Sequence, residues 1–310
     1  SDLPEGAVLV VGTGQSGTQI ATELAEAGRR VFVCVGSRSL RVPRKVRGRD
    51  FTWWLHKTGL YDTKIDDLPS DAQNAKRFGP NPSQCPERDV SLRDLCHKYD
   101  LTLLGKAKGV TDTDLLQLES STLQLNMTRI ESNVQRMQLF IEQYVQKHGA
   151  HDPELQGLDL EPLELEPDIP VPSCELCPIQ ELSLREAGIS TVIHCTGYNL
   201  NFQALIDLPD LYGEQNYPIQ ERGAATHHPG LYFLGLSWMY KWKSAVLCGI
   251  AEDAQHVARL ALERSASDFA GEGRQDSASK THSVAGSSSL KGPPEQLTAH
   301  QAWQQSWRCH

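Results

Sequence analysis

Residues 8–17 read VLVVGTGQSG, and this stretch decides the fold. Four strand-forming aliphatics run into three glycines, Gly12, Gly14 and Gly17. Each glycine answers a separate need. Gly12 permits a tight turn, Gly14 lets backbone approach a pyrophosphate, and Gly17 allows the next helix to pack closely on the strand. The N–H groups of that helix start, around Gln15 and Ser16, would face phosphate oxygens. The motif means little without context, and the context is present. Residues 15–28 place Ile20, Ala21, Leu24 and Ala25 on one helical face and stop at Gly28. Residues 31–35, VFVCV, are apolar on both faces, as expected of a strand inside a parallel sheet. Strand, glycine turn, helix and strand make a βαβ unit of the dinucleotide-binding kind.

The end of the second strand tells one dinucleotide from the other. NAD sites place Asp or Glu there for the ribose 2′-hydroxyl. This chain has Gly36, Ser37 and Arg38, then Arg41, Arg44, Lys45 and Arg47, with no acid between residues 27 and 49. A carboxylate would repel a 2′-phosphate, whereas Arg binds it through paired, charge-assisted hydrogen bonds. NADP is therefore the expected ligand, with Ser37 and Arg38 as the first contacts. The later basic residues read equally well as a solvated face.

The chain has 310 residues, room for about two domains. A net charge of −9 argues against a nucleic-acid partner. The most apolar late stretch, residues 230–251, contains Lys241 and Lys243, which makes it a poor membrane span. Eight scattered cysteines suit a reduced, cytoplasmic chain.

Further along, residues 51–90 read as loops with short helices, 91–99 as a helix, and 101–109 and 114–118 as strands. From 122 to 148, Met127, Ile130, Val134, Met137, Ile141 and Tyr144 recur at alternating steps of three and four and predict one long amphipathic helix. Residues 151–172 are acidic and proline-bearing and read as a crossover. Residues 189–198 read as strand and turn, 231–236 as a strand, and 244–264 as a helix. From 266 the composition shifts to Ser, Gly, Gln, Lys and Pro, and a disordered tail is expected. Trp303 and Trp307 stand out in that tail as a docking motif at most.

GTGQSG at 12–17, CTGY at 195–198 and the block 229–258 together resemble the flavin-containing monooxygenases and related flavin-dependent pyridine-nucleotide oxidoreductases. The resemblance spans about residues 5–264. It implies an α/β architecture: a Rossmann-like NADP-binding domain over 1–168, the C-terminal portion of an FAD-binding domain over 169–265, and the tail over 266–310. It implies FAD and NADP as cofactors and a small-molecule substrate. Ser16 matches the Ser often found before the last glycine of the family's NADPH motif. Thr196, Gly197 and Tyr198 match the element where the family's chain returns to its flavin domain, with Cys195 in place of the usual Ala. Gly235 and the backbone from Trp238 to Ser244 would lie near FAD. The family also carries an earlier glycine unit for the ADP part of FAD. No second such motif occurs in this sequence, so that segment is expected as a missing partner, and FAD binding by these residues alone is expected to be poor.

Other constellations weigh less. CELC at 174–177 is a lone pair of cysteines, read as ordinary loop residues rather than zinc or redox ligands. His227 and His228 read as surface or loop residues before an active-site acid or base. His194 is either core or nucleotide-facing. Asn126 begins a glycosylation sequon expected to be unused. Trp238, Tyr240 and Trp242, interleaved with Lys241 and Lys243, read as packing around a cofactor rather than a base-stacking surface. No tyrosine has Lys four positions later, which argues against a short-chain dehydrogenase. The expected activity is hydride transfer from NADPH to FAD followed by dioxygen activation; the alternative is a non-catalytic NADP-binding fragment or subunit.

Overall fold

The structure is a computed structural model that describes residues 3–36, 41–70, 73, 83–85, 91–156, 169–198, 200–213 and 216–272. Its described residues fall into two compact units, one within 1–58 and 79–198, the other within 59–78 and 199–310.

The first unit is built on a parallel sheet. The aliphatic run forms β1 (Ala7–Val11), the glycine turn leads into α1 (Gln15–Glu26), and the second apolar run forms β2 (Val31–Cys34). Short strands β3 (Arg41–Pro43), β4 (Lys45–Val46) and β5 (Arg49–Asp50) precede α2 (Phe51–Lys57), and β6 (Ser83–Cys85) pairs with β3. Then come α3 (Leu92–Lys98), β7 (Leu101–Leu104), β8 (Lys106–Val110), β9 (Leu115–Glu119) and the long helix α4 (Leu123–His148). The unit closes with α5 (Ser173–Leu176), β10 (Glu181–Ser183) and β11 (Ile189–His194). The strand order is β11-β1-β2-β7, all parallel.

Alternation along β1 assigns its two faces. Val8 and Val10 pack with Ala21 and Leu24 of α1, Leu92 and Leu95 of α3, and Met127 and Ile130 of α4. Ala7 and Leu9 pack with Phe32 and with Leu116 and Leu118 of the antiparallel sheet β10-β9-β8. One face of the parallel sheet is thus covered by helices and the other by a second sheet. The expected strand over 101–109 is in fact two strands broken at Gly105. A Cβ at Gly105 would stand 2.6 Å from the Glu119 carbonyl oxygen, so only glycine lets the chain cross from one sheet to the other at that point.

The expected helix over 122–148 is present; Met127, Ile130, Met137 and Ile141 of its apolar stripe are buried, and Val134 and Tyr144 are half-buried. Tyr144 spends its hydroxyl on the Lys57 carbonyl at 2.9 Å.

The second unit holds β12 (Gln220–Glu221), β13 (Ala224–Ala225) and α6 (Leu247–Glu272). A small core of Tyr217, Leu236 and Met239 lies among its loops. Trp238 and Trp242 stack at 5.6 Å, with Tyr61 edge-on to Trp242 at 5.8 Å.

Two expectations differ from the fold. Residues 231–236 form no strand: Tyr232 makes a single bridge to Ala224, and Gly235 at φ 75° breaks the extended backbone. The last helix does not end at 264 but runs to Glu272, past the point where composition turns tail-like; residues 273–310, Trp303 and Trp307 included, lie outside the described residues. The compact units part after residues 58, 78 and 198, and β11 lies in the first unit beside β1.

Candidate functional site

In an open parallel sheet, ligands bind outside the carboxyl ends of the strands where the chain direction of travel reverses. Here that point lies between β1 and β11: the chain leaves β1 toward β2 on one side, and β11 arrives on the other. The Cys195 N–H donates to the Val11 carbonyl at 2.8 Å, so the ladder holds to the rim of the crevice.

The glycine turn sits on that rim. Gly12 adopts φ 110°, and a Cβ there would stand 2.4 Å from the Cys195 carbonyl oxygen. A Cβ at Gly17 would stand 2.1 Å from the Gly12 carbonyl oxygen, so α1 presses directly on the turn. Gly14 is different: a Cβ there would meet no heavy atom within 4 Å. The first two glycines are required by packing, and Gly14 borders open space.

Gly14 is also the N-cap of α1. It offers no side-chain cap, and the first turn holds no acid. The first hydrogen bond of the helix runs from the Thr18 N–H to the Gly14 carbonyl at 3.0 Å. The amides of Gln15, Ser16 and Gly17 therefore have no intrahelical acceptor, and Gln15 and Ser16 are exposed. The buried Thr18 hydroxyl donates to the Thr13 carbonyl at 3.2 Å and steadies the turn. These observations fit a diphosphate.

On the opposite rim, Thr196, Gly197 and Tyr198 are exposed, and Gly197 takes φ 86°. Two thiols nearby are not activated: burial pushes Cys34 up to about 12 and raises Cys195 as well. The sequence-expected residues Gly12, Gly14, Gln15, Ser16, Gly17, Thr196, Gly197 and Tyr198 thus share the carboxyl ends of two adjacent strands.

At the end of β2, Ser37 and Arg38 lie outside the described residues. Arg47, grouped with them by sequence, takes no part in a solvated basic face. Its guanidinium is buried and donates through Nε to Glu142 of α4 at 2.7 Å. The sequence missed Asn126. It is 3% exposed and donates through Nδ2 to the Val35 carbonyl at 3.4 Å, bracing the exit from β2. A polar residue one place before Met127 on the core stripe was the available signal. Its burial also leaves the sequon without an exposed acceptor. His194 lies on the exposed face of β11.

Gly235 and Ser244 belong to the second unit. A Cβ at Gly235 would come 3.5 Å from Ile250 Cδ1. The Ser244 hydroxyl is 1% exposed as a residue and accepts from the Tyr240 and Lys241 N–H groups at 3.2 and 3.0 Å. It is committed to its own loop. Lys241 and Lys243 both reach Asp62 and Glu252, so the aromatic–lysine cluster is a packed ion cluster. His228 bonds through Nε2 to the Pro209 carbonyl at 2.6 Å. Among the described residues no group of three or more His, Cys, Asp or Glu is placed to hold a metal, and no helix is long and apolar enough to cross a membrane.

The first unit is therefore a Rossmann-type α/β unit with its glycine turn at the sheet's switch point. No family model matches the chain. The expected resemblance to oxidoreductases holds. The chain is 26% identical over 257 residues to a protein of Geobacillus kaustophilus named as an uncharacterized CzcO-like oxidoreductase, covering 83% of this chain and 53% of that protein. It is 21% identical over the same length to the uncharacterized oxidoreductase CzcO of Bacillus subtilis, with the same coverage. The chain spans about half the length of these curated relatives. A solved flavin monooxygenase from Stenotrophomonas maltophilia aligns with 83% of this chain and 51% of its own at 14% identity and a TM-score of 0.40, a likeness too slight to argue from.

Proposed function

We propose that the chain is the NADP-binding part of a flavoprotein oxidoreductase of the monooxygenase type, and that its glycine turn holds the NADPH diphosphate. One observation carries this: Gly14 borders open space beside three helix-start amides that no side chain caps. The naming of its relatives as oxidoreductases supports the class of reaction.

The chain's own part is to bind and orient. The amides of Gln15, Ser16 and Gly17 would take the diphosphate oxygens, where the helix dipole adds to the hydrogen bonds. Thr196 and Gly197 would form the opposite wall, with Tyr198 beyond them. Ser37 and Arg38 would take the 2′-phosphate, since no carboxylate stands near them in sequence to oppose it. A bound flavin would supply hydride acceptance and reaction with dioxygen, with Gly235 and the 238–244 backbone as its proposed neighbours.

The test is titration with NADPH and NADH, each with and without added FAD. NADPH is expected to bind at least tenfold more tightly, about 1.4 kcal/mol, and Arg38→Ser to abolish that preference. Equal affinities would remove the 2′-phosphate assignment. NADPH oxidation that depends on FAD supports the oxidoreductase, whereas binding without oxidation in a preparation that retains FAD contradicts it.

A further inference from the structure

Away from the crevice, three side chains of the first unit meet around a second feature that neither the proposed function nor the fold requires. The crossover segment that the sequence marks as irregular is pinned to α3 at two places. The buried Glu175 of α5 receives a two-pronged hydrogen bond from Arg93 of α3, at 2.8 Å from Nε and 2.6 Å from Nη2. Arg93 also binds Glu131 of α4. His97 bonds through Nε2 to the Pro170 carbonyl at 2.8 Å. Between these clamps lie two free thiols, Cys96 of α3 and Cys174 of α5. They are hydrogen-bonded to each other, both take a backbone hydrogen bond from Leu103 of β7, and both pack against the same apolar cluster.

We propose that Cys96 and Cys174 are a peroxide-sensitive dithiol that closes to a disulfide between α3 and the crossover. The other cysteine of the CELC motif, Cys177, lies exposed past the end of α5.

The chemistry assigns the two roles. The Cys96 thiol donates to Cys174, which brings the Cys174 thiol down to about 6, while the same contact and burial push Cys96 far up. Glu175, the nearest carboxylate, opposes ionisation of both, and its two hydrogen bonds from Arg93 limit that opposition. Cys174 is thus the thiolate and Cys96 the resolving thiol. The Cys174 sulfur attacks hydrogen peroxide; an S–O bond forms, the O–O bond breaks, and the departing hydroxide takes a proton from solvent and leaves as water, giving a sulfenic acid. The Cys96 sulfur then attacks that sulfur. The S–S bond forms, the S–O bond breaks, and the hydroxide leaves as a second water with the Cys96 proton. Two thiols are oxidised by two electrons, and one peroxide is reduced to two waters.

The test is stoichiometric hydrogen peroxide on the reduced full chain, followed by differential alkylation and peptide mass mapping. Cys96 and Cys174 are expected to leave the alkylatable pool together, as a linked peptide lighter by two hydrogens and restored by dithiothreitol. C96S should instead leave Cys174 reactive toward dimedone, and C177S should change nothing. C96A should slow alkylation of Cys174 by iodoacetamide at pH 7 by several-fold, as the thiolate fraction falls about tenfold for each unit its pKa rises beyond 7. A Cys174–Cys177 link, or oxidation of Cys248 and Cys177 while Cys96 stays alkylatable, would overturn the proposal. Because these readouts come from the parent chain as well as the variants, a variant that fails to fold leaves the mapping result decisive.

Discussion

Two helix starts in this molecule are built alike and finished differently. In α1 and in α6 the third residue is a glycine, Gly17 and Gly249, and in each a Cβ would stand 2.1 Å from a carbonyl oxygen of the preceding turn, that of Gly12 or of Lys243. Both helices therefore press their first turn onto backbone. The turn before α1 then offers nothing of its own: its cap is Gly14, without a side chain, beside open space. The turn before α6 fills itself. The Gly249 N–H finds the Val246 carbonyl at 2.8 Å, and Ser244 ties off two amides of its own loop. Lys241 and Lys243 neutralise Asp62 and Glu252 there. One start is left open and the other is satisfied from within, although the sequence gives both a glycine at the third helical position.

The comparison can be broken most forcefully at its shared element. Gly12→Ala and Gly17→Ala each set a Cβ against a carbonyl oxygen, at 2.4 and 2.1 Å, and each is expected to cost roughly 2–4 kcal/mol. Thermal unfolding should register a fall of about 10 °C. A Tm close to the parent's would mean that the turn yields and that packing does not require these glycines.

Gly14→Asp should separate binding from folding. Aspartate is a preferred N-cap, so stability should hold or rise by about 0.5 kcal/mol. NADPH affinity, measured by calorimetry, should fall at least tenfold, because a carboxylate would occupy the place of the diphosphate. Unchanged affinity would move the nucleotide away from α1.

Ser244→Ala removes the acceptor of two half-buried amides and should destabilise by about 1 kcal/mol, read as a lower denaturation midpoint. Little or no change would show that the start of α6 is not capped in the way its geometry indicates.

The smallest effect concerns acid. Lys241 and Lys243 hold Glu252 below its ordinary value of 4.5. A depressed carboxylate stabilises above its unfolded pKa, and that contribution is lost as pH falls through the folded value. Glu252→Gln should therefore flatten the decline of Tm below about pH 4.5, by a few tenths of a kcal/mol for so exposed a pair. Parallel acid limbs for parent and variant would remove Glu252 from the cluster.

Much of the first unit was legible. The strand, turn, helix and strand over 7–35 and the helix over 123–148 follow from patterns that each segment carries within itself: aliphatic runs, glycine spacing and a 3.6-residue period. The strand expected at 231–236 failed on the same kind of pattern. LYFLGL is apolar enough for a strand, but Leu234 is 46% exposed and Gly235 turns the chain left-handed, so pairing with β13 stops at the single bridge of Tyr232 to Ala224. Arg47 shows the converse. It looked like one of a basic series, and an ion pair with Glu142, distant in sequence, helps make it a buried residue.

The sequence by itself determined the glycine turn, the helix it opens and the absence of an acid where a ribose hydroxyl would be held. These depend on backbone freedom and on neighbours a few residues away. Tertiary structure alone decided that β11 lies beside β1 and makes the turn one wall of a crevice, that a second sheet covers the back of the first, and that Cys174 meets Cys96 rather than Cys177. Such pairings join residues far apart in the chain, and their energy comes from surfaces that exist only once both partners have folded.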